Sequence, residues 1–254
     1  MDIAITRDIP QSILRCELTH LDREPIDYAR AVTQHEAYCQ VLSELGLSLS
    51  RLPADEAYPD CPFVEDTAVV LDELAILASP GVASRRGEVT TIARVLSRYR
   101  PLSRIEPPAT LEGGDVLVMG RTIFVGKSSR TNVAGIAALA KFVGYFGYRV
   151  RPIEVAGCLH LKSAVTALDG ETVLLNPAWI DRGALAELRI IEVAPEEPGA
   201  ANVLSVRDSV LSHPGFPRTL ERLVAASYRV APVDISEFLK AEAALTCKSL
   251  LLRS

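Results

Sequence analysis

His160 and Cys247 are the two side chains best suited to reactive chemistry in this sequence. His160 sits in Gly157-Cys158-Leu159-His160-Leu161-Lys162-Ser163, and Cys247 sits in Leu245-Thr246-Cys247-Lys248-Ser249-Leu250, seven residues from the C-terminus. A thiol and an imidazole distant in sequence suit a nucleophile and its proton-transfer partner. A third setting, Leu111-Glu112-Gly113-Gly114-Asp115, is an acidic loop that its glycines make compact. Cys, His and carboxylates together suggest covalent chemistry on a cationic, electrophilic carbon. Each residue alone has a plainer reading, because a lone Cys in a last strand is usually an inert core residue. A His flanked by leucines is likewise usually structural, so the case rests on the combination.

These residues need elements that bring them together. A helical stretch, a short β-rich strand and an acidic or Pro-containing loop recur five times. The strands centre on 49–53, 103–107, 150–154, 189–193 and 230–234. Apolar spacing at Ile136, Leu139, Ala140 and Val143 predicts a helix, with Gly46, Gly144 and Gly147 as natural stops. A period of about 40 to 50 residues falls in the range of propellers and other repeat folds. A doubly wound sheet would also alternate helices and strands. The shared strand-then-acid pattern favours a closed α/β ring formed by one domain, residues 1–254. After four of the strands the chain reaches a candidate residue: Glu65 and Asp66, then Glu112 and Asp115, then His160, and finally Cys247. Ile105 to Glu112 and Ile153 to His160 share a seven-residue offset. In a ring, equivalent positions converge on the axis.

The chain has 254 residues, 48% apolar and 23% charged, with a formal net charge of −5. It is long enough for a large core and lacks the composition of disorder. Without a basic tract, nucleic acid is not the expected partner. The acidity is compatible with a cationic small-molecule substrate. No apolar run reaches spanning length, so no membrane partner is expected. Met1–Arg7 reads as a first strand rather than a signal peptide. The five cysteines, Cys16, Cys39, Cys61, Cys158 and Cys247, form no CxxC and are odd in number. That usage predicts a reduced cytoplasmic protein with neither a disulfide framework nor a zinc-finger-type site.

Over its whole length the chain resembles the dimethylarginine dimethylaminohydrolases of the guanidino-group-modifying (pentein) superfamily. The resemblance lies in the ordered segments Phe63-Val64-Glu65-Asp66, Ser84-Arg85-Arg86-Gly87-Glu88, Leu111-Glu112-Gly113-Gly114-Asp115, Ser129-Arg130-Thr131-Asn132, Leu159-His160-Leu161-Lys162 and Leu245-Thr246-Cys247. It implies a five-bladed α/β propeller with the active site in its central channel and no cofactor or metal. It further implies that Cys247 is the nucleophile and that His160 protonates the departing amine, then activates water. Glu112 would bind the guanidinium and orient His160, while Asp66 would bind the other guanidino nitrogens. Arg85 and Arg130 would take the α-carboxylate, and Asp60 and Glu65 are further substrate contacts. Leu18, in Leu18-Thr19-His20, would close over the substrate as part of a lid. The expected reaction converts N-omega-methylated arginines to citrulline and an amine. A homodimer is left open.

Arginine deiminase, or hydrolysis of another N-substituted guanidine, is the nearest alternative. Deiminases typically carry an acid two places after the histidine, where this chain has Lys162, and an extra helical insertion for which it has no room. Ribosome anti-association factors share the architecture without the chemistry, but would not need Cys247, His160, Glu112 and Asp66 together. The chain also departs from the family with Ala243-Ala244 before the nucleophile and Lys248 after it. Lys248 is expected to point away from the site, because strand neighbours face opposite sides.

Overall fold

The repeated unit is a three-stranded sheet with one parallel crossover. The computed structural model describes residues 2–253; Met1, placed by the sequence reading in the first strand, lies outside them. The chain starts with β1 (Ile3–Arg7), crosses through α1 (Tyr28–Glu44) and returns parallel as β2 (Ser48–Leu52). An antiparallel pair, β3 (Ala68–Val70) and β4 (Ala75–Leu77), then leads through α2 (Glu88–Leu96) to β5 (Leu102–Arg104). The third sheet repeats the plan with β6 (Val116–Met119), β7 (Thr122–Lys127), α3 (Val133–Gly144) and β8 (Arg149–Glu154). The fourth follows the short α4 (Leu161–Ala164) with β9 (Val165–Ala167), β10 (Thr172–Leu175) and β11 (Arg189–Glu192). Its crossover holds only a 3-10 turn, Arg182–Leu185. The fifth comprises β12 (Leu204–Val206), β13 (Ser209–Ser212), α5 (Pro217–Ala225) and β14 (Arg229–Pro232). After the short α6 (Ser236–Leu239), β15 (Leu250–Leu252) pairs antiparallel with β1. The two ends of the chain therefore complete one sheet.

Five hydrophobic clusters join consecutive sheets and close the ring. Ile5 and Leu250 pack with Ala75 and Leu77; Ile76 packs with Val116 and Ile123. Leu117 and Phe124 meet Val165 and Val173, and Leu174 meets Val203 and Val210. Leu204 and Leu211 return to Ala4 and α1. Middle strands carry the burial: all four residues of β10 and of β13 are buried. Helix α1 packs through Ala31, Gln34, His35, Tyr38, Cys39 and Leu42, a helical i, i+3/i+4 stripe. It begins at Asp27, whose carboxylate accepts the Arg30 N–H at 3.0 Å, and is followed by Gly46 at φ +84°.

The strands expected from sequence are the outer ones, β2, β5, β8, β11 and β14. The second ends at Arg104 rather than near residue 107, where two prolines supply no N–H for the ladder. The inner strands, as short as three residues, are too brief to display a period. Short helical turns precede the first strand of each inner pair: Val64–Thr67, Gly113–Asp115, Leu161–Ala164 and Pro198–Ala201. A fifth, Thr246–Lys248, precedes β15. These turns pack against one another and carry or flank the candidate residues. Among the described residues no helix is long and apolar enough to cross a membrane.

Candidate active site

The turns place Asp66, His160 and Cys247 around one buried cavity, with Phe63, Asp60, Arg85, Arg130, Glu17 and Glu242 also in its wall. The cavity volume is about 20 Å³, room for about one water molecule. A larger, open hollow of about 390 Å³ lies on the fourth sheet, bounded by Arg182, Gly183, Ala186, Leu188 and Ile190. It offers neither a nucleophile nor an acid–base pair, whereas the smaller cavity gathers Asp66, His160 and Cys247.

His160 caps α4, and its Nε2 lies 2.7 Å from Glu112 Oε2. Glu112 is fully buried and its other oxygen accepts the Gly81 N–H at 2.9 Å. This pairing makes Nε2 the donor to Glu112 and leaves Nδ1 as the nitrogen able to exchange a proton. Nδ1 is 3.9 Å from Asp66 Oδ1, an electrostatic rather than hydrogen-bonded separation. Gly114 permits this approach, since a Cβ there would lie 2.7 Å from His160 Nδ1 and 2.8 Å from Asp66 Oδ1. Asp115 braces the turn from behind, accepting the Leu161 N–H at 2.9 Å and the Ser128 hydroxyl at 2.6 Å. Burial disfavours the imidazolium, but Asp66, Asp115 and Glu112 together outweigh it and raise the His160 pKa to about 9.

Cys247 is buried, and the Ala244 N–H points at its Sγ from 3.4 Å. Burial pushes its thiol up to about 12, reinforced by Glu65 and Asp66. Its turn is held by Asn202, which donates to Thr246 Oγ1 at 3.0 Å and accepts the Thr246 N–H at 3.1 Å. Lys248, the next residue, is fully buried with Nζ 3.1 Å from the Phe238 ring centroid and no hydrogen bond. Burial drives its pKa well down.

Asp66 accepts from Arg85 Nη1 at 2.7 Å and from the Gly114 N–H at 3.1 Å. Burial favours its protonated form, but His160 and Arg85 prevail and keep its pKa low. Arg85 is also gripped by Glu88 through Nε at 3.1 Å and Nη2 at 2.9 Å. Most of its donors are therefore engaged by protein. Arg130 is more available: Nη2 donates to Thr19 Oγ1 at 2.9 Å, and Nη1 is 3.6 Å from Glu112. Asp60 accepts the Glu17 N–H at 3.3 and 3.2 Å, and burial raises its pKa. Glu65 instead accepts from Lys162 at 2.6 Å and from the Thr246 hydroxyl at 2.7 Å, and it is not in the cavity wall. Leu18 packs partly buried against the first core cluster, while Glu17 reaches the cavity.

The fold also brings together possible metal ligands that sequence spacing did not reveal. Ligand atoms of Asp66, Glu112 and His160 lie within 4.8 Å of one another. Glu112 and Asp66 already spend their oxygens on His160, Gly81, Arg85 and Gly114, so the geometry is accounted for by hydrogen bonding.

The model of the family described as "N,N dimethylarginine dimethylhydrolase, eukaryotic" matches residues 19–170. The chain is 39% identical to a Streptomyces coelicolor dimethylarginine dimethylaminohydrolase over 238 residues, covering 93% of this chain and 91% of that one. The chain belongs to the dimethylarginine dimethylaminohydrolase family. A family member from Pseudomonas aeruginosa is 35% identical over 226 residues, covering 88% of this chain and 89% of the relative. The structure of a cysteine-to-serine variant of that organism's dimethylarginine dimethylaminohydrolase, complexed with citrulline, superposes with TM-score 0.94 at 33% identity and 98% coverage of both chains. Within the dimethylarginine dimethylaminohydrolase frame, sequence reading missed Asn202 and Glu242, and gave no role to Thr246 and Glu88 although both lie in the segments that carry the resemblance. The fourth repeat was given no candidate residue, and Asn202 follows its turn; Glu242 carried no signal because its partners are backbone amides.

Proposed function

We propose that this protein hydrolyses N-omega-methylated L-arginines to citrulline and methylamine or dimethylamine through a covalent adduct on Cys247. The observation that carries the reading is the Glu112–His160 contact of 2.7 Å beside a buried thiol and Asp66. At neutral pH the resting pair is a thiol and an imidazolium, from pKa values of about 12 and about 9. A guanidinium entering the cavity supplies the positive charge that favours the thiolate, and the thiol proton is released to solvent while His160 keeps its own. Asp66 and Glu112 then offer acceptors to its planar N–H groups. The thiolate adds to the guanidino carbon, and His160 Nδ1 gives its proton to the departing amine. The resulting thiouronium is attacked by water, which loses a proton to His160, and the thiolate is expelled to leave citrulline. The citrulline complex of the P. aeruginosa relative supports citrulline as product.

Lys162 supports methylated over bare arginine as substrate. It neutralises Glu65 at 2.6 Å, so no additional free carboxylate demands unsubstituted guanidino nitrogens. All five cysteines are unpaired, which supports a reducing, cytoplasmic setting. The test is to supply purified protein with dimethylarginine or arginine and quantify citrulline, using Cys247→Ser as control. Citrulline from dimethylarginine, absent with the variant, is expected. Citrulline from arginine alone would replace this reading with a deiminase.

A further inference from the structure

Segment 17–21 borders the cavity through Glu17, and a carboxylate outside the reacting set holds that segment down. Glu242 lies five residues before Cys247 and adopts φ +53°, a left-handed conformation unfavourable for a residue with a Cβ. From there its carboxylate accepts three consecutive backbone N–H groups, that of Thr19 at 3.0 and 2.9 Å and those of His20 and Leu21. Successive amides converging on one anion form a compact, charge-assisted grip. Of the other ties to the segment, Asp60 to the Glu17 N–H and Arg130 to Thr19 Oγ1 use side chains assigned above to substrate, and Ser84 Oγ donates to the Glu17 carboxylate at 2.8 Å at its exposed start. Glu242 is the anchor of residues 19–21 that substrate need not displace. A cavity of about 20 Å³ is too small for an arginine, and Glu17 of this segment is part of its wall.

We propose that Glu242 is a positioning residue that latches segment 17–21 over the cavity and so sets substrate retention. Its kinetic consequence rests on the proposed function; the latch itself does not. The strained backbone aims the carboxylate at the amides, and the same loop continues to Ala244, whose N–H points at Cys247 Sγ. Closure and the surroundings of the nucleophile are therefore mechanically joined.

The test compares wild type with Glu242→Gln, Glu242→Ala and Glu242→Gly. Glycine suits the positive φ and removes the carboxylate without straining the loop. Hydrogen exchange at Thr19, His20 and Leu21, and iodoacetamide alkylation of Cys247 without substrate, are both expected to rise about tenfold or more in the Ala and Gly variants. KM for dimethylarginine is expected to rise about tenfold with a smaller change in kcat, since retention weakens more than chemistry. The Gln variant, which keeps an acceptor without charge, should fall between. Unchanged exchange and alkylation in Glu242→Gly overturns the latch. Faster exchange and alkylation in a protein that makes no citrulline leaves the latch standing and removes the substrate assignment.

Discussion

Cys247 and His160 are shifted the same way, each holding its proton to higher pH than in an unfolded chain. For His160 the stabilising effect is complete below its unfolded pKa of about 6.5 and is lost as pH rises through about 9. For Cys247 the window begins near its ordinary pKa of about 8.5 and extends to about 12. Denaturant midpoints should therefore fall from pH 7 to pH 10, and the slope should flatten in a Cys247→Ser, His160→Asn double variant. The same order of pKa values means that unliganded Cys247 alkylates slowly at pH 7 and accelerates above pH 9. An added guanidinium cation that promotes the thiolate should move this profile down; an alkylation midpoint near pH 6 without ligand would contradict the resting thiol. At this scale the sequence was informative about Cys247, His160, Glu112 and Asp66 because their types and order are distinctive. It was silent on how donors are shared. That Arg85 is bound by Glu88 and Asp66, and Glu65 by Lys162, depends on side-chain directions that only packing decides.

The five short turns convert dispersed sequence into one site. Gly113 and Gly114 show how narrow their tolerances are. A Cβ on Gly113 would strike the Glu65 carbonyl, backbone that cannot step aside, whereas one on Gly114 would meet His160 and Asp66 side chains. Gly113→Ala should accordingly lower stability by about 1–3 kcal/mol, an overpacking cost, measured by urea unfolding. Gly114→Ala should retain most of its stability yet lose about 100-fold in kcat, the scale expected for a displaced reacting pair. If both variants lost only stability, the turn would be a scaffold without catalytic precision. Sequence spacing suggested the turns because each follows an outer strand. It did not disclose the Asn202–Thr246 pair, which spans 44 residues and joins neighbouring turns through hydrogen bonds rather than pattern.

Ring closure is the condition for everything inside it. β15 pairs the C-terminal end with β1, and Cys247 stands in the turn just before it. A chain ending at Ser249 would leave β1 with one partner strand and remove Leu250 and Leu252 from the cluster they share with Ile5 and Ala68. It should fail to show a cooperative thermal transition; native-like melting would mean that the ring does not depend on its last strand. The recurrence of five units was legible in sequence because each ends in an exposed, patterned outer strand. A closed ring was expected from that recurrence, but not how it is closed, since β15 is a brief apolar segment whose partner lies at the other end of the chain. The central claim, attack by Cys247 on a methylated guanidinium, is tested most directly by intact-protein mass spectrometry of acid-quenched turnover. The account expects a mass gain equal to dimethylarginine minus dimethylamine, mapped to the peptide carrying Cys247 and absent from Cys247→Ser. Full citrulline production by Cys247→Ser, with no adduct on any cysteine, would contradict it.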